Sequence, residues 1–145
     1  MKVESILRAK GHQVTTIQPW CTVKEALGHL IGPPRIGALV VTGVPHGFSG
    51  MVSERDIIRG MRLHGERLLG MPVSDVMLHH VPTCAPTDSI SDIMVTMTHS
   101  RYRHLPVLRD GDLVGLVSIG DVVRARLDEM ELETGILRDL YMARH

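Results

Sequence analysis

Two stretches decide the fold of this chain: Gly115-Leu116-Val117-Ser118-Ile119-Gly120-Asp121 and an earlier near copy, Gly50-Met51-Val52-Ser53-Glu54-Arg55-Asp56. Each copy predicts a short apolar strand that opens with a glycine, a serine where the strand gives way to a helix, and an aspartate in the first helical turn. Serine at that position can cap the helix. A pattern that occurs twice indicates a chain built from two similar halves.

The serine and aspartate of each copy also suggest chemistry. A hydroxyl and a carboxylate three residues apart, beside the free N–H groups of a helix start, form a polar cluster suited to an anion and a sugar hydroxyl, such as a phosphate and a ribose. The structural alternative is that serine only caps the helix and aspartate complements its dipole, which contributes about 0.3–1 kcal/mol. A single copy would favour the structural alternative, whereas the repetition favours a binding site.

Composition narrows the class of protein. The 145 residues are 43% hydrophobic but only 3% aromatic, so the core must be built from aliphatic side chains and methionine. The formal net charge is zero, which argues against a general nucleic-acid binder. Cys21 and Cys84 do not occupy matching places in the two halves, so neither a disulfide framework nor a thiolate metal site is predicted.

Targeting signals are not apparent. The first residues lack the apolar region of a signal peptide, and no stretch approaches the roughly 20 apolar residues that span a bilayer. The sequence therefore predicts a cytoplasmic protein without a membrane segment.

The repetition extends beyond the two motifs. Segment 35–41 matches 101–107, segment 16–19 matches 83–86, and the leader 3–7 matches 73–77. We predict an α+β fold of two pseudo-symmetric β-α-β-β-α repeats packed together, each with a small mixed sheet covered by helices. The predicted boundaries are 1–64 for the first repeat, 65–72 for a linker, 73–127 for the second repeat and 128–145 for an amphipathic helical tail.

Each half gives local signals for its elements. Helices are predicted to start after Thr22 and Ser89, and the first ends at the Gly-Pro-Pro of 32–34. Hairpins are predicted at 43–47 and 109–112, the second with a strong Asp-Gly turn. Three strands make too small a sheet to stand alone, so the halves should cover each other.

The tail has its own pattern. Val123, Leu127, Met130, Leu137 and Tyr141 recur at helical spacing, although Thr134-Gly135 weakens the middle. Packing against the same chain and packing against a second subunit are both open.

The doubled Gly-apolar-apolar-Ser-x-x-Asp pattern, the strand residues Leu105-Pro106-Val107 and the leader 73–77 together resemble a tandem pair of cystathionine-β-synthase (CBS) domains, the Bateman module. The resemblance covers residues 1 to about 127 and is greatest to small stand-alone bacterial CBS-pair proteins. It implies adenosyl nucleotides bound in clefts between the halves, and homodimers in which two pairs form a flat disc.

The resemblance also implies site residues. Carried over by position, the nucleotide-binding residues are Thr16, Ile17, Gly37, Ala38, Ser53, Arg55, Asp56, Thr83, Cys84, Arg103, His104, Pro106, Ser118, Ile119 and Asp121. Each aspartate would accept both ribose hydroxyls in charge-assisted hydrogen bonds. The serines would lie near ribose or phosphate, and backbone groups at 16–17 and 83–84 would read the adenine edge.

The two sites are expected to differ. Arg103 and His104 at the start of the second-half strand can attract phosphates, whereas Gly37 and Ala38 offer only backbone and space. Arg55 can supply charge beside Asp56. Tyr102 is either a core ring or a platform for the base.

An enzyme is the competing class. The chain contains nine histidines, but no His-Glu-x-x-His, Cys-x-x-Cys or Gly-x-Ser-x-Gly arrangement, and neither Ser53 nor Ser118 has an evident general base. We therefore predict no catalysis, no metal and no catalytic cofactor.

We predict a sensor of energy or redox state that binds AMP first, and ADP, ATP or NADH next. The nucleotide would act by binding more tightly to one arrangement of the two halves than to another. Its regulated partner is unassigned. A dimerisation scaffold that needs no ligand is the alternative.

Overall fold

The computed structural model describes residues 1–43 and 47–144. The helices are α1 (Val3–Lys10), α2 (Val23–Ile31), α3 (Glu54–His64), α4 (Ile90–Ser100) and α5 (Ile119–Arg144). The strands are β1 (Thr16–Ile17), β2 (Ala38–Thr42), β3 (Phe48–Ser53), β4 (His104–Arg109) and β5 (Asp112–Ser118). Two 3-10 helices, Gly65–Gly70 and Val73–Asp75, connect α3 towards α4. The predicted α+β class is confirmed, and the first repeat has the predicted order β-α-β-β-α.

Helix ends lie where the capping residues predict them. The Thr22 hydroxyl accepts a hydrogen bond from the Glu25 N–H at 3.2 Å, and the Ser89 hydroxyl accepts one from the Asp92 N–H at 3.1 Å. Gly32, with φ of 59°, ends α2 in a left-handed conformation that suits glycine.

The first half contains a mixed sheet in the order β1-β2-β3, with β1 parallel and β3 antiparallel to β2. In the second half β4 and β5 form an antiparallel hairpin. Its turn residues Asp110 and Gly111 have φ of 51° and 85°, the left-handed pair that the Asp-Gly signal predicts. Most of the other predicted turn, 43–47, lies outside the described residues.

The second half lacks a full third strand. A single parallel bridge between Cys84 and Val107 stands where β1 lies in the first half. Pro82 precedes this bridge at the position that matches Thr15 of the first half, and a proline has no N–H to donate to a ladder. The predicted three-stranded sheet is therefore two strands and one bridge in this half.

The leaders of the two repeats are exchanged between the cores. Val3, Ile6 and Leu7 of α1 pack in the core of the second half. Val73 and Met77, which match them in the repeat, pack in the core of the first half together with Leu68 of the segment between the repeats. Packing thus divides the chain differently from the repeat boundaries 1–64 and 73–127.

The glycine at the start of each motif lies in a strand that the leader segment of the other repeat packs against. A Cβ at Gly50 would collide with the carbonyl oxygen of Leu78, whose backbone pairs with Met51. A Cβ at Gly115 would lie 2.6 Å from Leu7 Cδ2. Glycine at these strand positions therefore permits the close approach of a second segment.

The tail is a continuation of α5 and not a separate element. The last residue of α5 that is buried in the core is Ala125, and apolar side chains beyond it are exposed to solvent. The N-terminal ammonium group reaches Glu129 at 2.8 Å, so the chain contacts its own tail as far as that turn. None of the described helices combines the length and apolar character needed to cross a membrane.

Candidate functional site

A cavity of about 510 Å³ opens between the two halves. This volume is within the range of about 300–1,000 Å³ that is usual for small-molecule sites. The start of β2 and the β3–α3 junction line it from the first half, and residues just before β4 line it from the second. The predicted site residues that it brings together are Gly37, Ala38, Ser53, Arg55, Asp56, Arg103 and His104.

Asp56 is the buried carboxylate of this cavity, only 3% exposed. Its Oδ2 accepts hydrogen bonds from the Ser53 N–H at 2.8 Å and from the Ser53 hydroxyl at 2.9 Å. Its Oδ1 accepts one from Arg59 at 3.2 Å, and that arginine side chain is 54% exposed. A carboxylate accepts about four hydrogen bonds, so displacement of the exposed arginine would leave Oδ1 free for two hydroxyl donors.

Five arginines surround the cavity: Arg35, Arg55, Arg59, Arg101 and Arg103. Arg35 is paired with both oxygens of Glu54, at 3.2 and 3.1 Å. Within the described part of the chain, Arg55, Arg101 and Arg103 make no side-chain ion pair. These three unpaired guanidinium groups give the cleft a positive potential that attracts anions.

Three of these arginines were not predicted from the sequence as site residues: Arg35, Arg59 and Arg101. A signal existed for two of them, because Arg35 and Arg101 occupy matching positions in the repeat. Arg59 lies one helical turn after Asp56, which is a common surface spacing and carries no specific signal.

The remaining wall is apolar. Ala38, Met51 and Val81 form a small buried cluster between the halves, with the partly buried Leu78 packed against it. Tyr102 is also partly buried, packs against this cluster and lines the cavity. The ring therefore packs as a core residue and faces the cavity as well. Apolar walls with a few convergent polar groups are typical of ligand sites.

Comparison with known proteins identifies the family. The model of the CBS domain matches residues 73–128. The crystal structure of the CBS-domain containing protein ATU1752 from Agrobacterium tumefaciens is 38% identical, with a TM-score of 0.82, over 86% of this chain and 92% of that one. The chain belongs to the CBS-domain family.

Two further CBS-domain proteins are similar to this chain. The mitochondrial CBS domain-containing protein CBSX3 of Arabidopsis thaliana is 31% identical over 88% of this chain, which spans 65% of the length of that protein. The CBS domain protein PAE2072 from Pyrobaculum aerophilum, solved in complex with AMP, is 26% identical with a TM-score of 0.77, over 92% of this chain and 99% of that one.

The second CBS repeat reproduces the local geometry around its aspartate. Asp121 Oδ2 accepts the Ser118 N–H at 2.9 Å, and the Ser118 hydroxyl accepts the Asp121 N–H at 3.1 Å. The same oxygen accepts the Lys10 ammonium group at 2.7 Å. Burial alone would raise the pKa of Asp121, but the hydrogen bonds from Lys10 and Ser118 outweigh it and hold the pKa below its ordinary value.

His104 stands between the cavity and this second aspartate. A Cβ at Gly37 would lie 2.7 Å from its Nε2, so the ring occupies the space that glycine leaves. Burial lowers the pKa of His104, and the positive charge of Lys10 lowers it further. Both effects favour the neutral form of the imidazole. In the sequence, Arg103 and His104 belong to the second half. Both nevertheless line the cavity that contains Asp56 of the first half, because this cavity lies between the halves.

The other predicted residues do not line this cavity: Thr16, Ile17, Thr83, Cys84, Pro106, Ser118, Ile119 and Asp121. Ile17 and Cys84 are buried in the two cores. The Cys84 N–H donates to the Pro106 carbonyl at 3.0 Å, so this group is already engaged within the fold. Burial, with a smaller contribution from Asp88, raises the pKa of the Cys84 thiol to about 12.

Proposed function

We propose that this CBS pair is a non-catalytic regulatory module that binds an adenine nucleotide, AMP first, in the Asp56 cavity. The observation that carries the proposal is that a buried carboxylate, three unpaired arginines and an apolar wall line one cavity between the two halves. An adenine nucleotide has the matching groups: ribose hydroxyls that donate, a phosphate anion and a flat apolar base. The relative PAE2072, solved with AMP, supports this ligand class.

Each group of the cavity has a role in this proposal. Asp56 accepts the ribose hydroxyls, in place of Arg59. Arg55 and Arg103 bind the phosphate, since hydrogen bonds between charged groups are the stronger kind. The base lies against the apolar wall, where Tyr102 provides a ring face. ADP, ATP and NADH would use the same carboxylate and extend further along the arginines.

Regulation follows from the position of the cavity. A ligand that contacts both halves favours the arrangement to which it binds more tightly, by the difference in its two affinities. The nucleotide concentration would then set which surface the CBS pair presents to a partner.

Replacing Arg103 by alanine tests the phosphate contact. We expect AMP binding to weaken at least about 10-fold, because a charge-assisted hydrogen bond contributes about 1.5–3 kcal/mol, whereas adenosine, which has no phosphate, should bind unchanged. Calorimetric titration of nucleotide-free protein with AMP and adenosine measures both. Arg109→Ala, at the exposed end of β4, is the control.

Two results would contradict parts of this proposal. Equal weakening of adenosine and AMP would show that Arg103 does not contact the phosphate. Absence of binding of AMP, ADP, ATP, NADH and adenosine by folded protein would favour the scaffold that needs no ligand.

We further propose that the chain forms a homodimer through its tail. Val123, Leu127, Met130 and Leu137 of α5 are 43–67% exposed, and they fit the alternating spacing of three and four residues that joins two helices, with Thr134 at the position between Met130 and Leu137. Glu133 and Arg138 flank this seam five positions apart, the separation at which opposite charges meet across two parallel helices. Neither makes an ion pair among residues 1–43 and 47–144, so both are available to a second copy.

Leu137→Glu is expected to convert a dimer into a monomer of 16.0 kDa, because it places a charge in the seam of each helix. Light scattering after size-exclusion chromatography measures the mass. Leu132→Glu is the matched control, since Leu132 is 64% exposed on the same helix but outside the seam. A dimer that survives Leu137→Glu would assign the contact to another face.

A further inference from the structure

The aspartates of the two CBS repeats have the same local geometry but different cationic partners. Each accepts the N–H of the serine three residues earlier, at 2.8 Å for Asp56 and 2.9 Å for Asp121. The partner of Asp56 is Arg59, an exposed side chain of the same helix at 3.2 Å. The partner of Asp121 is Lys10 at 2.7 Å, and it comes from α1, far away in the sequence.

Lys10 is fixed at Asp121 by the helix that carries it. The Lys10 ammonium group also donates to the Leu116 carbonyl at 3.0 Å, so two acceptors on one half hold it. Leu7, one turn earlier, is fully buried against Gly115 and anchors α1 over β5. A neutral hydroxyl that replaced this ammonium group would exchange an ion pair for a weaker hydrogen bond.

The leader of the second repeat does not provide the same contact at Asp56. It forms only the three-residue 3-10 helix Val73–Asp75, where α1 has eight residues. The chain then turns to pair Leu78 with Met51. His80, which matches Lys10 in the repeat, is exposed and makes no hydrogen bond or ion pair to any described residue.

We propose that Lys10 takes the place of a ribose at Asp121 and closes the second cleft, so that each chain binds one nucleotide, at Asp56. This inference rests on the proposed function. A residue of the exchanged leader thus occupies one of two similar sites. The two repeats therefore differ in whether they bind a nucleotide.

Equilibrium dialysis with AMP tests the closure by counting bound nucleotide. The wild type is expected to bind one AMP per chain, and Lys10→Met two, because methionine keeps the apolar stem but offers no donor to Asp121. Lys24→Met, at an exposed position of α2, is the matched control and should bind one. Thermal melting establishes that each variant is folded.

The outcomes separate this inference from the function on which it rests. Two AMP bound by the wild type, or one AMP bound by the wild type and also one by Lys10→Met, would overturn the closure and leave nucleotide binding intact. No AMP bound by either protein would overturn both. One AMP bound by Lys10→Met and none by the wild type would support the closure and remove the site from Asp56.

Discussion

Asp56→Asn is expected to weaken AMP binding by about 100-fold or more. The carboxylate is buried, with Oδ1 paired only to an exposed arginine, and it is the acceptor proposed for both ribose hydroxyls. Loss of its charge weakens two hydrogen bonds of about 1.5–3 kcal/mol each. Asparagine has nearly the same shape and keeps one oxygen to accept the Ser53 N–H, so the start of α3 should persist.

Calorimetric titration with AMP, together with thermal melting, measures both effects of Asp56→Asn. Asp92→Asn is the matched control, because Asp92 also follows a capping serine, Ser89, by three residues but lies outside the cavity. Unchanged AMP affinity in a folded Asp56→Asn protein would exclude the carboxylate as a ribose acceptor.

Leu7→Ala is expected to lower the free energy of unfolding by about 2–5 kcal/mol, as is usual for a buried leucine. Leu7 is 0% exposed and lies in the core of the second half, although it belongs to the first repeat in sequence. Gly115 beside it has no side chain that could fill the space. Since domains are stable by only about 5–15 kcal/mol, the loss is a large fraction of the total.

Urea unfolding followed by circular dichroism measures the effect of Leu7→Ala. Arg8→Ala is the neighbouring control: its side chain is 72% exposed and its ion pair with Glu4 is a surface pair. Equal small losses in both variants would contradict the packing of α1 into the second half.

Local sequence signals were sufficient for most elements. Thr22 and Ser89 cap their helices, Gly32 ends α2, and Asp110-Gly111 forms the predicted turn. Such signals work because the hydrogen bonds and dihedral angles involved span only a few residues. The missing third strand of the second half also has a local cause in Pro82, which stands where the first half has Thr15.

The candidate site could be predicted only in part. Ser53, Asp56, Arg103 and His104 line one cavity, but Arg101 and Arg59 enter it as well, and Cys84 is committed to its bridge with β4. A residue's distance from a cleft between two halves depends on how the halves pack, which no single motif encodes.

The sequence by itself determined that the chain is two similar α+β halves, each with a serine and an aspartate at a helix start. Only the tertiary structure decided which leader packs on which half. The leaders 3–7 and 73–77 carry the same pattern of apolar residues, so this pattern fits the core of either half. That exchange places Lys10 on Asp121 and leaves the Asp56 cavity open. Two nearly equal motifs thus become unequal sites through long-range packing.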